Sequence, residues 1–256
     1  ISCNDVIQKI NSKTRAIISV DLFGNPCDYK NLGDICKKHG IVLIQDAAES
    51  LGSFYDKKNV FEYGDITCTS FNLNKIITSC GGGAVFSKSS EKIKKIKSYI
   101  NQCKIENSYD YYDVGYNYRM GSINAALLSS QIERIDKILE KKTDIASQYK
   151  SLLSKSELSF QEVTKKSQHN NWIVAVTFDN NSTRDKVHEH LRRHDIETKI
   201  PFTPGTSVKW LREKYNYKKC SNAYLVFKTG LLLPSSPSLA TEDVEKICHV
   251  IRETLK

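Results

Sequence analysis

The chain has no apolar run approaching the roughly 20 residues that a membrane-spanning helix requires, so no membrane partner is expected. Its eight cysteines are scattered at positions 3, 27, 36, 68, 80, 103, 220 and 248 without one C-x-x-C pair. That spacing argues against a zinc site and a disulfide scaffold and fits a reducing, cytoplasmic setting. Cys80 has no histidine signature beside it and reads as a packing residue rather than a nucleophile. Methionine occurs once, at position 120, and the sequence opens on Ile1 with no secretory signal. A fragment or a processed chain is therefore expected. Internal repeats and low-complexity segments are absent too. What is present is ordinary for a globular enzyme: 256 residues, 39% hydrophobic and 26% charged, enough for one large or two modest domains.

A net charge of +9 raises the question of nucleic acid. The densest basic run, Lys92-Ile93-Lys94-Lys95-Ile96-Lys97, alternates with isoleucines at helical spacing and reads as a wet helix face. No nucleic-acid module accompanies it, so no nucleic-acid partner is expected. His188, His190 and His194 resemble a metal cluster, but spacings of two and six residues do not bring all three to one helix face. They read as a solvated face, and no metal is expected.

The order of elements points to an α/β fold. Ala16 to Val20 reads as a strand after a short helix at 5–11. A helix from about Asp28 to Lys38 ends in basic residues and is stopped by Gly40. Ile41-Val42-Leu43-Ile44 is a bare apolar run, read as a strand buried on both faces of a parallel sheet. Ile66 to Phe71 and Ala84 to Phe86 add strands, and the basic helix follows. Ser122 is the expected N-cap of one long helix from Ile123 to about Tyr149. Beyond it come a strand at 172–178, a helix started by Ser182, a strand at 231–234 and a final helix capped by Thr241. The division expected is a large domain at 1–145 and a small α+β domain at 146–256.

Asp46 follows the 41–44 strand, at the lip where open α/β sheets bind ligands. Lys75 lies between a strand and the triplet Gly81-Gly82-Gly83. One Asp and one Lys on neighbouring strand ends suit pyridoxal phosphate. A lysine amine can hold the cofactor aldehyde as a Schiff base, and a carboxylate can keep the pyridine nitrogen protonated. The residues alone leave a plainer alternative open, in which Asp46 caps a turn and Lys75 is a surface lysine.

The segments Gln45-Asp46-Ala47-Ala48-Glu49-Ser50-Leu51-Gly52, Gly64-Asp65-Ile66, Ser70-Phe71-Asn72-Leu73-Asn74-Lys75-Ile76-Ile77-Thr78 and Gly82-Gly83-Ala84 together resemble the DegT/DnrJ/EryC1/StrS sugar aminotransferases. So do Val114-Gly115-Tyr116-Asn117-Tyr118-Arg119-Met120 and Gln131-Ile132-Glu133-Arg134-Ile135-Asp136. Asn74 to Thr78 ahead of a glycine run looks most like the branch making UDP-linked 4-amino sugars of the bacillosamine or legionaminic acid type. The resemblance implies a fold-type I pyridoxal-phosphate enzyme, with a mostly parallel sheet between helices and a small C-terminal domain. It also implies a homodimer with shared active sites.

Residue by residue, the resemblance makes Lys75 the Schiff-base lysine and proton carrier, and Asp46 the partner of the pyridine nitrogen. Ala48 would lie against the ring face, Glu49 beside the ring oxygen and Ser70 against the phosphate. Asn117 would reach the phosphate of the neighbouring subunit, with Arg119 bracing its loop. The implied reaction moves an amino group, with glutamate as donor, onto a nucleotide-linked 4-keto-6-deoxyhexose for surface-glycan or lipopolysaccharide synthesis. The family usually carries about a hundred further residues ahead of such a segment, including a helix start that cradles the phosphate, so the N-terminal part is expected to be missing. Gly81 and Pro204-Gly205-Thr206 also stand where many relatives carry a glutamate and a histidine. Alternatives are a 3-keto-sugar aminotransferase and a non-catalytic homologue acting as a binding or regulatory subunit. A 3-dehydratase on the same scaffold usually replaces the lysine by histidine, so Lys75 speaks against it.

Overall fold

A computed structural model describes residues 1–215 and 220–256. The chain forms two compact units, one of Ile1–Leu139 with Val163–Asn170, the other of Glu140–Glu162 with Asn171–Lys256.

The first unit is organised on a four-stranded sheet. Strands β1 (Ala16–Val20), β2 (Val42–Asp46) and β5 (Ile66–Ser70) are parallel, and β6 (Gly83–Phe86) joins β5 antiparallel. Between β2 and β5, the short pair β3 (Phe54–Tyr55) and β4 (Lys58–Asn59) makes a second sheet with β8 (Ser167–Gln168). Helix α1 (Cys3–Lys9) precedes β1 and α2 (Tyr29–His39) is the crossover to β2. Asp28 caps α2 by accepting the Asn31 N–H at 3.3 Å, and Gly40 ends it at φ 62, a left-handed turn that glycine adopts without strain. Tyr29, Leu32, Ile35 and Cys36 of α2 form a core with Ile17 and Leu43 of the sheet and with Tyr55 and Val60.

Only one sheet face is fully buried in this chain. Ile17, Ser19, Leu43, Gln45, Thr67 and Thr69 are buried, whereas their neighbours Ile44, Asp46, Cys68 and Ser70 are half-buried and Ile18 is 63% exposed. The expectation of burial on both faces of the 41–44 run is thus corrected. The apolar cluster that contains α2 gathers on the Leu43 side, and Val42 and Ile44 point the other way. The strand also runs further than its apolar residues, taking in Gln45 and Asp46, because both continue the parallel ladder with β1 and β5.

The helix after Met120 differs from expectation as well. It is two helices, α4 (Ser122–Ile132) and α5 (Ile135–Leu152), following α3 (Ser90–Ile100). At the break the Arg134 N–H reaches Gln131 O, a three-residue turn, and the regular ladder restarts with Ile138 N–H on Arg134 O. Gly121, not Ser122, occupies the N-cap.

In the second unit β7 (Leu158–Phe160), β9 (Val174–Phe178) and β10 (Gly230–Leu233) form an antiparallel sheet in the order β10-β9-β7. Helix α6 (Asn181–Arg193) is capped by Asn180, which accepts the Thr183 N–H at 2.9 Å, two residues before the start expected at Ser182. Short helices α7 (Lys209–Lys214) and α8 (Ser221–Thr229) precede β10, and α9 (Thr241–Thr254) closes the chain with Ala240 rather than Thr241 at its N-cap. Val187, Leu191, Val244, Ile247 and Ile251 pack with Val174, Val176, Leu231 and Leu233 and with Ile145 and Tyr149 of α5. Fully removing such side chains from water stabilises by about 1.5–3 kcal/mol each, which is what holds three short strands together. Lys142 is buried at its edge, its Nζ donating to Trp172 O at 2.7 Å and Ser235 O at 2.6 Å.

Candidate active site

The parallel ladder carries Asp46 to the C-terminal end of β2, in register with Val20 and Cys68. There the chain turns. Asp46 Oδ1 accepts the Ala48 N–H at 3.1 Å, Ala47 donates its N–H to Cys68 O at 2.8 Å, and Ser50 donates its N–H to Ala47 O. The small, half-buried Ala48 is followed by the buried Glu49. A tight turn secured this way holds the two carboxylates, Asp46 and Glu49, three residues apart at one strand end.

Lys75 reaches this end from the loop after β5. Phe71 O accepts from Ser79 N–H, Gly81 N–H and the Thr78 hydroxyl, so one carbonyl gathers the loop that Lys75 sits in. Asn124 of α4 adds a 2.6 Å hydrogen bond to Ser79 O. Lys75 Nζ lies 3.6 Å from Glu49 Oε1, with side chains only 14% and 10% exposed. Burial pushes the Glu49 carboxyl above its ordinary value and Asp46 pushes the same way, opposed by the Phe23 N–H and the Lys75 charge. Asp46, Glu49 and Lys75 are therefore within electrostatic reach of one another.

The other predicted residues divide. Ser70 ends β5 half-buried on the Asp46 face, its Oγ accepting the Asn72 N–H at 3.3 Å. Asn117 is exposed on a tyrosine-rich segment and pairs with Asn101 through an isolated bridge. Two readings are corrected. Cys80 is exposed at φ 63 rather than packed, because the turn into the glycines turns it outward. His188 and His190 are half-buried, bonding Thr198 and Thr254 at 2.6 Å, because their helix face meets those elements; His194 is exposed. Among the described residues no group of three His, Cys, Asp or Glu side chains could hold a metal.

Three further residues build the site without a signal in the sequence. Phe23 donates its N–H to Glu49 Oε2 at 2.7 Å from a left-handed backbone, φ 61. Asn170 donates to Glu49 O at 2.7 Å and Leu51 O at 2.9 Å. Asp21, fully buried, lies beneath the turn. The turn residues of 21–26 were legible, but nothing in Phe23 announces positive φ and nothing in Asn170 announces a partner 119–121 residues away.

The donor set suits pyridoxal phosphate. It offers an amine largely withdrawn from water, a carboxylate at a parallel-strand lip, and a small, half-buried alanine, Ala48, in the turn beside it. The fold is that of the fold-type I pyridoxal-phosphate enzymes, and the chain is an aminotransferase that uses this cofactor. It belongs to the DegT/DnrJ/EryC1/StrS aminotransferase family, whose profile it matches over residues 1–252. It is 36% identical to a GDP-perosamine synthase of Vibrio cholerae across 98% of this chain and 70% of that protein. A UDP-4-amino-4,6-dideoxy-N-acetyl-β-L-altrosamine transaminase of Campylobacter jejuni is 28% identical across 90% of this chain and 63% of that protein. The fold also matches the solved structure of PseC from Helicobacter pylori, an aminotransferase involved in pseudaminic acid biosynthesis, with a TM-score of 0.94 at 24% identity. That match covers all of this chain and 70% of the other. The family and these relatives make the chain a sugar aminotransferase. No helix among the described residues is long and apolar enough to cross a membrane.

Proposed function

We propose that the chain transfers an amino group, with glutamate as donor, to C4 of a nucleotide-linked 4-keto-6-deoxyhexose in the making of a surface glycan. The observation that carries the site is the buried Lys75–Glu49 pair at the strand end holding Asp46. The altrosamine relative is named for a 4-amino-4,6-dideoxy sugar, which supports C4. The higher identity of the GDP-perosamine relative favours a GDP-linked over a UDP-linked substrate.

In this reading Lys75 Nζ would hold the cofactor aldehyde and, once released, carry the proton at the reacting carbon. Asp46 would keep the pyridine nitrogen protonated and Ala48 would lie against the ring. Glu49 would sit beside the ring oxygen, its carboxylate fixed by the Phe23 N–H. Ser70 and, from a second copy of the chain, Asn117 would donate to the phosphate, which makes the working unit a homodimer; the exposure of Asn117 supports that role. Bound pyridoxal phosphate supplies an electron sink that eases removal of a C–H proton next to nitrogen.

The test is to load the protein with pyridoxal phosphate, reduce with borohydride and map the labelled peptide. Labelling of Lys75, lost in Lys75→Ala, is expected. Turnover of a GDP-linked 4-keto-6-deoxyhexose with glutamate should place nitrogen on C4. A label on another lysine, or amination of C3, would overturn the reading.

A further inference from the structure

Asp21 follows β1 directly and is completely buried. A buried carboxylate is tolerated only when its oxygens are well supplied with donors. Asp21 has four, and their division between the two oxygens is informative. Oδ1 accepts the Cys27 N–H at 2.9 Å, just ahead of α2, and the hydroxyl of Tyr29, the first residue of α2. Oδ2 accepts Gln45 Nε2 at 3.0 Å and the Ser50 hydroxyl at 2.7 Å. Gln45 and Ser50 immediately flank the segment Asp46-Ala47-Ala48-Glu49. One oxygen thus holds both ends of the turn that carries the two site carboxylates. The backbone repeats the link, for Asp21 donates its N–H to Asp46 O at 3.1 Å. Two residues further on, Phe23 donates to Glu49 Oε2.

The charge on Asp21 is felt by its neighbours. Burial first and Asp21 next raise the Cys27 thiol to about 12, and the same two causes raise the Tyr29 phenol. Both groups thereby remain protonated, and Tyr29 stays a donor.

We propose that Asp21 is a positioning residue of this enzyme. Its Oδ2 clamps the 46–49 turn from both flanks and so sets where Asp46 and Glu49 stand relative to the cofactor, while its Oδ1 serves only to fasten α2. The proposal rests on the site reading above. It separates two halves of one carboxylate by function, and that makes it testable with two mild variants in addition to Asp21→Asn, which can fail to fold.

Ser50→Ala removes a bond to Oδ2; Tyr29→Phe removes a bond to Oδ1. Each deletes one hydroxyl from the same carboxylate, and both should lose similar stability. The expected difference is local. In cofactor-free protein, Ser50→Ala should speed hydrogen exchange of the Ala47 and Ala48 amides by roughly tenfold, and should weaken pyridoxal phosphate binding, read by its absorbance, by a similar factor. Tyr29→Phe should leave both within about twofold. Equal effects of the two variants, or no effect of Ser50→Ala on those amides, would overturn the proposal. A Lys75→Ala chain that still takes the borohydride label would sink the site reading instead, while the exchange rates, measured without cofactor, judge Asp21 by themselves.

Discussion

Glu49 is held from two sides: Oε1 faces Lys75 Nζ at 3.6 Å, and Oε2 accepts the Phe23 N–H at 2.7 Å. The arrangement sets a buried carboxylate between an amine and a backbone dipole. The largely buried lysine thereby stands against the strand end that carries Asp46. Phe23 achieves this from φ 61, a region that costs a bulky residue of order 1–3 kcal/mol, so the turn is over-determined by its surroundings.

Replacing Glu49 by glutamine should change the acid side of the stability profile. Burial, the largest influence, raises its carboxyl above the ordinary 4.5. The folded protein therefore holds this proton at pH values where the unfolded chain has lost it. Its contribution to stability is complete below about 4.5 and declines as pH rises through the raised folded value. Denaturant unfolding across that window should show the decline in the parent protein and its loss in Glu49→Gln. Parallel curves would show that the pair with Lys75 cancels the burial penalty.

Much of the fold could be read from the chain, because its signals are local. Asp28, the basic end of α2 and Gly40 bound a helix that the structure contains with those limits. The family segments located Asp46, Glu49 and Lys75, and the structure brings these three together. What escaped was set by distant contacts. The break at Glu133–Arg134 has no proline or glycine to mark it. The half-buried His188 and His190 depend on Thr198 and Thr254, and a pattern of polar residues cannot show a hydroxyl arriving 64 positions later. The one-sided burial of β2 follows from where the apolar face of α2 is spent, which the uniform run Ile41 to Ile44 does not encode.

Gly24→Ala tests the support beneath Glu49. Gly24 sits at φ 96, and an added Cβ would stand 1.9 Å from Asn170 Oδ1 and 3.0 Å from Glu49 O. Asn170 must then move, and its bonds to Glu49 O and Leu51 O go with it. Backbone strain plus two disturbed buried hydrogen bonds should cost about 2–4 kcal/mol. The loss should be measurable as a lower denaturation midpoint accompanied by weaker cofactor binding. A variant within about 0.5 kcal/mol of the parent, the usual range for a surface substitution, would mean that Asn170 moves freely.

Leu231→Ala probes the second unit. Leu231 lies fully buried in β10 among Val176, Val187 and Ile251. Loss of its methyl groups leaves a cavity in a core that cannot fully close, with an expected cost of about 2–5 kcal/mol. Since the fold has two compact units, fluorescence of Trp172, in the same unit, is the appropriate signal. A shift below about 1 kcal/mol would show that the site collapses on mutation.

Lys142 gives the alkaline counterpart. Burial lowers its ammonium from the ordinary 10.5 to about 8, while Trp172 O and Ser235 O accept from Nζ. Between those two values the unfolded chain holds a proton that the folded protein has released, so stability rises with pH across that window. Below about 8 the full cost of burying the charge applies, on the order of 3 kcal/mol by the size of the shift. Lys142→Met removes the titrating group and also leaves two buried carbonyls without their donor. The variant should lack the rise in stability from about pH 8 to 10.5 that the parent shows, and the gap between the two should therefore widen as the solution becomes more alkaline. Unfolding free energies of both proteins at pH 7.5 and 10, as order-of-magnitude brackets of that interval, decide the matter. A gap that stays constant would mean that the two carbonyls stabilise the ammonium enough to offset its burial, and that Lys142 stays charged throughout.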